Sequence, residues 1–303
     1  MMHKKYLPSE LSNIIAEYVG ELLDWIDEKR LDWDMLSSNP AAIDLLTSNQ
    51  DKISWDYLSN NPAAIRLLTA NPEKINWERL SKNTAAIDLL KANQDKINWV
   101  RLSSNPAAIE LLTANQDKID WYVLSSNPAA IALLAANQDK IDWYALSSNH
   151  AAIDLLTANQ DRLNWYALSS NPAAIELLTA NHDKTDFYWL SNNHAAIDLL
   201  TANQDKIDWA WLSNNPAAIG LLTTKQNKIS RNRVILPKNT TGTDLLKADQ
   251  TKISWSWLSN NPAAIELITA NQNKVNWIWL SSNPAIFGGR NKIAYKCLNE
   301  LGW

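Results

Sequence analysis

The chain has 303 residues and a formal net charge of -4, with 46% hydrophobic and 20% charged residues. That balance suits a protein with a sizeable buried interior and excludes a polycation. A single cysteine, Cys297, excludes an internal disulfide and fits a reducing compartment, and no apolar run approaches the roughly 20 residues of a membrane helix.

The N-terminal MMHKKYLPSELSN lacks the apolar core of a secretory signal. Residues 7 to 29 are predicted as one helix, because Leu11, Ile15, Tyr18, Leu22 and Ile26 fall on a common face. The segment 1–31 is therefore expected to cap the rest of the chain.

From residue 32 onward the chain is a repeat. The phrase W-x-x-L-S-x-N-P-A-A-I-x-L-L-x-x-N-x-x-K-I-D/N/S begins at Trp33 and returns every 22 residues through Trp209 and Arg231, with Phe187 replacing one Trp. After two extra residues it resumes at Trp255 and Trp277, giving twelve units over residues 32–286. Asp, Asn or Ser precedes each ring and is placed to cap a short first helix. The Asn-Pro pair ends that helix and starts the next, because a residue before proline avoids helical geometry while proline suits the first helical position. The second helix is predicted over PAAIELLTA, 172 to 180, with Asn181 closing it in a left-handed conformation. The expected fold is all-α, an α-solenoid of about twelve 22-residue two-helix repeats.

Periodicity assigns the faces. The Trp at position 1 is expected in the core, and the Lys or Arg at position 20 on a solvated ladder. Position 3 lies about 200° from the Trp and is expected to be the most exposed of the first helix. It carries Trp189, Trp211, Trp257 and Trp279, while position 2 carries Tyr122, Tyr144, Tyr166 and Tyr188. Either these rings form a binding stripe, since exposed aromatics mark interaction sites, or stacking hides position 3 between helices.

The tenth unit, 231–254, is degenerate: Arg231 replaces Trp, Pro237 replaces Ser and Gly242 replaces Ala. Its first helix is expected to fray. It lies in a basic segment, residues 225–303, in which Lys and Arg outnumber Asp and Glu by 11 to 4, with Arg231 and Arg233 as candidate contacts for an acidic partner or nucleic acid. Residues 287–303 leave the phrase and are expected to cap the other end.

No catalytic constellation emerges. His3, His150, His182 and His194 have no metal-ligand spacing, the Asp residues fall at caps and ladder positions, and no Gly-rich phosphate loop is present. The expectation is no enzyme, no cofactor and no metal.

The phrase, as in LSSNPAAIELLTANQDKIDW (102 to 121), resembles tandem repeats of about this length in giant DNA viruses. The two-helix unit also resembles leucine-rich-repeat variants. The first resemblance implies a viral protein of the host-cell cytoplasm or the virion. The opening LPSELSNIIAEYV resembles the first helix of an F-box, which implies an adapter of a host ubiquitin ligase. The residues and resemblances together give a non-catalytic scaffold for another macromolecule. A protein is the expected partner. The alternatives are pairing with itself, a virion structural role and nucleic-acid contact through the basic segment. No membrane role is expected.

Overall fold

The computed structural model describes residues 22–212, 215–224 and 254–287. These are short α-helices and 3-10 turns in tandem, with one isolated β-bridge, Leu22 to Phe287. The architecture is the all-α repeat solenoid. The chain forms two compact units, Ile75–Ser254 and the pair Met1–Lys74 with Trp255–Trp303. The F-box-like stretch, residues 231–253 of the degenerate repeat, and Gly288 onward lie outside the described residues.

The Trp121 repeat, in the unit Ile75–Ser254, shows how 22 residues fold. Asp120 Oδ1 accepts from Val123 N–H at 2.9 Å and starts the helix Trp121–Ser125. Asn127 Oδ1 then accepts from Ala129 N–H at 3.0 Å and starts a 3-10 turn, Pro128–Ala130. Ala130 sits at φ -90, ψ 5, so the predicted second helix splits there into that turn and an α-helix, Ile131–Ala135. A further 3-10 turn, Gln138–Lys140, was not foreseen.

The left-handed closure expected at Asn181 does not occur. Asn181 has φ -126, ψ 47, and its Nδ2 donates to the Leu177 carbonyl at 3.0 Å. The helix end is closed by two donors from Asn181 to that one carbonyl, its backbone N–H at 3.1 Å and its side-chain amide, with the backbone at negative φ.

The core is leucine and alanine rather than tryptophan. Leu102, Ala108 and Leu112, at positions 4, 10 and 14, are fully buried, and so are their counterparts Leu124, Ala130 and Leu134. Helices of five or six residues have no stability alone, so this burial holds them. The position-1 rings are only half-buried. From Trp33 to Phe187, and again at Trp255, the ring is covered by the position-20 cation of its own repeat: Lys118 Nζ lies 4.6 Å from the Trp99 centroid, and Arg162 lies 4.2 Å from that of Trp143. The expected solvated ladder is a cation–π ladder, and it explains why ring and cation recur together.

Two buried polar side chains stitch the repeats. In the position-5 series, Ser103 Oγ donates to the Trp99 carbonyl at 2.8 Å and accepts from Asp120 N–H at 3.1 Å. In the position-7 series, Asn149 Nδ2 donates to the carbonyls of Ser125 and Asn127, both at 3.1 Å, in the preceding repeat. Asn171 and Asn193 do the same to the repeats before them. These rungs are buried and paired, which removes the usual cost of a buried amide.

The other unit contains a repeat made from both ends of the chain. Trp277–Phe287 supplies its first half. Residues 28–32 supply its last five positions. Glu28–Arg30 forms the 3-10 turn, Leu31 is buried as Ile53 is, and Arg30 covers the Trp277 ring at 4.2 Å. Asp32 N–H donates to Ser281 Oγ at 2.8 Å, matching Ser54 N–H to Ser37 Oγ at 3.0 Å within the Trp33 repeat. Asn39 Nδ2 continues the amide ladder onto the Ser281 carbonyl at 3.2 Å. The helix predicted over 7–29 therefore does not run through its last residues. DEKRLDW (27 to 33) is a variant of the phrase's NQDKIDW, and the repeat lattice takes it up instead.

Candidate interaction surface

The first helices of the unit Ile75–Ser254 present position 2 to solvent. Tyr122 is 59% exposed, and Tyr144, Tyr166 and Tyr188 are also exposed. Val100 extends the row by one repeat. Five successive repeats thus carry an exposed apolar or aromatic side chain at one place in the lattice. Periodic stacking turns a recurring position into a continuous strip.

Position 3 is not the most exposed place. Ala145 and Ala167 are buried, and Trp189 and Trp211 are half-buried. The 200° argument treats a helix as having one buried side, whereas each first helix here packs against first helices on both flanks. Position 3 points along the stack. Trp189 reaches the preceding repeat, meeting Tyr166 edge-on at 5.2 Å, and also meets Tyr188 at 5.6 Å. Trp211 meets Tyr188 at 5.4 Å and Trp189 at 5.5 Å. The tryptophans form a support and the tyrosines stand on it, with edge-to-face geometry that fixes the ring planes. Trp189 Nε1 is buried without a hydrogen-bond partner, a cost of about 1–3 kcal/mol tolerated inside this cluster.

The strip changes character along the same unit. Arg101 donates from Nε and Nη2 to Glu78 Oε1 at 3.1 and 3.0 Å, one repeat apart. Lys91 Nζ pairs with Glu110 Oε2 at 2.6 Å. The hydrogen bond and charge of Lys91 hold the Glu110 carboxyl below its ordinary value, and Glu110 raises Lys91 in the same way. At position 2 the charged Glu78 thus gives way to Val100 and then to tyrosine from Tyr122 onward, while the Lys91–Glu110 pair lies on the second helices.

In the unit that holds both chain ends, Trp257 and Trp279 stack obliquely at 5.3 Å, with Trp257 exposed and Trp279 half-buried. Ile278 is exposed beside them. Arg231 and Arg233 lie outside the described residues. The position-5 serines and position-7 asparagines were not singled out from sequence as bridging residues. Their recurrence in unit after unit was the available signal.

Fold and surface define a helical repeat protein with an aromatic face. A family model described as periplasmic copper-binding protein (NosD) matches residues 120–283, more than half of the chain, and by that match the chain belongs to this family. No curated protein matches, and no solved structure matches. The described residues do not fit the copper of the family's description. Copper takes sulfur and imidazole ligands. Among the described residues no group of three or more His, Cys, Asp and Glu is able to hold a metal ion. His150, His182 and His194 are exposed single substitutions in separate repeats. No helix among the described residues is long and apolar enough to cross a membrane.

Proposed function

We propose that this chain is a non-catalytic repeat scaffold that binds another protein through the position-2 row, Val100, Tyr122, Tyr144, Tyr166 and Tyr188. The exposure of four tyrosines in consecutive repeats carries the reading, with Tyr166 and Tyr188 backed by Trp189 and Trp211. Tyrosine offers a large contact area, a polar tip and few rotamers to freeze, which is why it is frequent at binding hot spots. Rigid backing lowers the ordering cost further. The resemblance to giant-virus repeats supports a location in the cytoplasm of an infected cell or in the virion.

The test is quantitative affinity capture from infected cells, with wild-type chain beside a variant carrying Tyr122→Ser, Tyr144→Ser, Tyr166→Ser and Tyr188→Ser. These exposed substitutions leave the leucine core intact, and an unchanged far-ultraviolet circular dichroism spectrum verifies it. A partner enriched by wild type and lost at least ~10-fold in the variant supports the proposal, since hot-spot truncations cost about 2 kcal/mol or more. Identical partner sets from both chains would falsify it.

A further inference from the structure

Among the described residues, the two-ended repeat is the one assembled from segments far apart in the chain, so a second molecule is able to complete it. Its first half, Trp277–Phe287, stays seated on the Trp255 repeat: Ser282 Oγ donates to Asn260 Oδ1 at 2.9 Å, and Asn283 Nδ2 to the Ser259 carbonyl at 2.9 Å. Its second half runs directly into the helix Trp33–Ser38. Leu23 N–H to the Ile286 carbonyl at 2.9 Å, Asp32 N–H to Ser281 Oγ and Arg30 over Trp277 join the halves. Trp25 against Trp277 at 6.2 Å completes the joint. All of these contacts are non-covalent, and none requires both halves to belong to one chain. The joint is also imperfect: Trp25 Nε1 and Trp277 Nε1 are buried without partners. Among the described residues of this unit no other side-chain atom is left so, a cost the joint carries whichever chain supplies each half.

We infer that this joint is a self-association site. The partner is a second copy of this chain, whose Asp27–Trp33 segment completes the Trp277–Phe287 half, and the reverse. The exchanged joint has the same contacts as the closed one, so its formation is a matter of concentration against effective concentration. Dilute chains close on themselves. Chains that fold together at high concentration exchange ends and become linked dimers. This inference does not rest on the tyrosine row.

The bridge Leu22 to Phe287 supplies the test. Two full-length chains, both Cys297→Ser, carry Leu22→Cys and Phe287→Cys respectively. They are mixed, unfolded, refolded at ~1 µM or ~1 mM, the second of which reaches the millimolar effective concentrations of tethered sites, and then oxidised. A Phe287→Cys chain mixed with an Asp44→Cys chain is the collision control, and a chain with both Leu22→Cys and Phe287→Cys reports closure. Exchange is supported if the Leu22→Cys/Phe287→Cys pair cross-links at least ~10-fold above the control at the higher concentration only, and if unmodified protein refolded alike shows dimers by light scattering. Cross-linking at the control level, with the double variant locking only to itself, overturns exchange. A double variant that never locks overturns the joint itself.

Discussion

Replacing Asn149 by alanine removes one rung of the buried amide ladder, and the structure sets its cost. Oδ1 accepts from Ala151 N–H at 3.1 Å, a turn-starting bond worth about 1 kcal/mol. Nδ2 donates to the carbonyls of Ser125 and Asn127. The Asn127 carbonyl keeps a second donor, Ala130 N–H at 3.1 Å, so its loss is about 0.5–1 kcal/mol. The Ser125 carbonyl is buried in the joint between repeats and loses about 1–3 kcal/mol. The sum is about 2.5–5 kcal/mol. By contrast Asn159→Ala removes one half-buried bond, Nδ2 to the Leu155 carbonyl at 2.9 Å, and should cost about 1 kcal/mol. Asn149→Asp keeps the bond to Ala151 but turns a carboxylate on two carbonyl oxygens, so it should be at least as damaging as alanine at neutral pH. Urea unfolding followed by tryptophan fluorescence compares the three variants with wild type. A loss below about 1 kcal/mol for Asn149→Ala, or wild-type stability for Asn149→Asp, would refute the ladder as the link between repeats.

Leu31→Ala should destabilise by about 2–4 kcal/mol, as Ile119→Ala should at the equivalent place in the other unit. A negligible effect at Leu31 beside a full one at Ile119 would show that the two-ended repeat adds no stability. His150 occupies the turn position that proline fills in most repeats, and Asn149 already has the extended geometry a following proline requires, φ -80, ψ 108. His150→Pro should therefore stabilise by about 0.4–1 kcal/mol, and a lower denaturation midpoint would contradict this. The Lys91–Glu110 pair fixes a pH dependence. Glu110 has a lowered folded value, so its contribution is present above the unfolded carboxyl value and fades as pH falls through the folded one. Lys91 has a raised folded value, so its contribution fades as pH rises through that value. Carboxyl-resolved NMR titration should find Glu110 below its ordinary value and returned to it in Lys91→Ala; no difference between the two proteins would contradict the pairing.

The repeat period, the caps and the split at Asn-Pro were legible because each follows from a local rule acting on adjacent residues. Asp120 and Asn127 act as starting residues as their types require. What a single unit does not contain was not legible. The burial of Ala145 at position 3 depends on a neighbouring first helix, and the roles of Ser103 and Asn149 depend on partners 17 to 24 residues away. The cation over each indole needed the chain to fold back across almost a whole repeat, as Lys118 does to Trp99. The two-ended repeat had a signal, DEKRLDW, but it stands beside a stretch with helical periodicity and lacks the Asn and Ile of the phrase. Of the aromatic stripe, the residues were legible and their placement was not: tyrosines at position 2 face outward, and Trp189 and Trp211 at position 3 lie against Tyr166 and Tyr188.

Hydroxyl-radical footprinting tests that division most directly. The chain recovered in complex from cells is compared with the purified chain, residue by residue. The account predicts severalfold slower modification of Tyr122, Tyr144, Tyr166 and Tyr188 in the complex, with little change at the half-buried Trp33, which lies in the other unit. Equal rates at all four tyrosines in bound and free chain would contradict it.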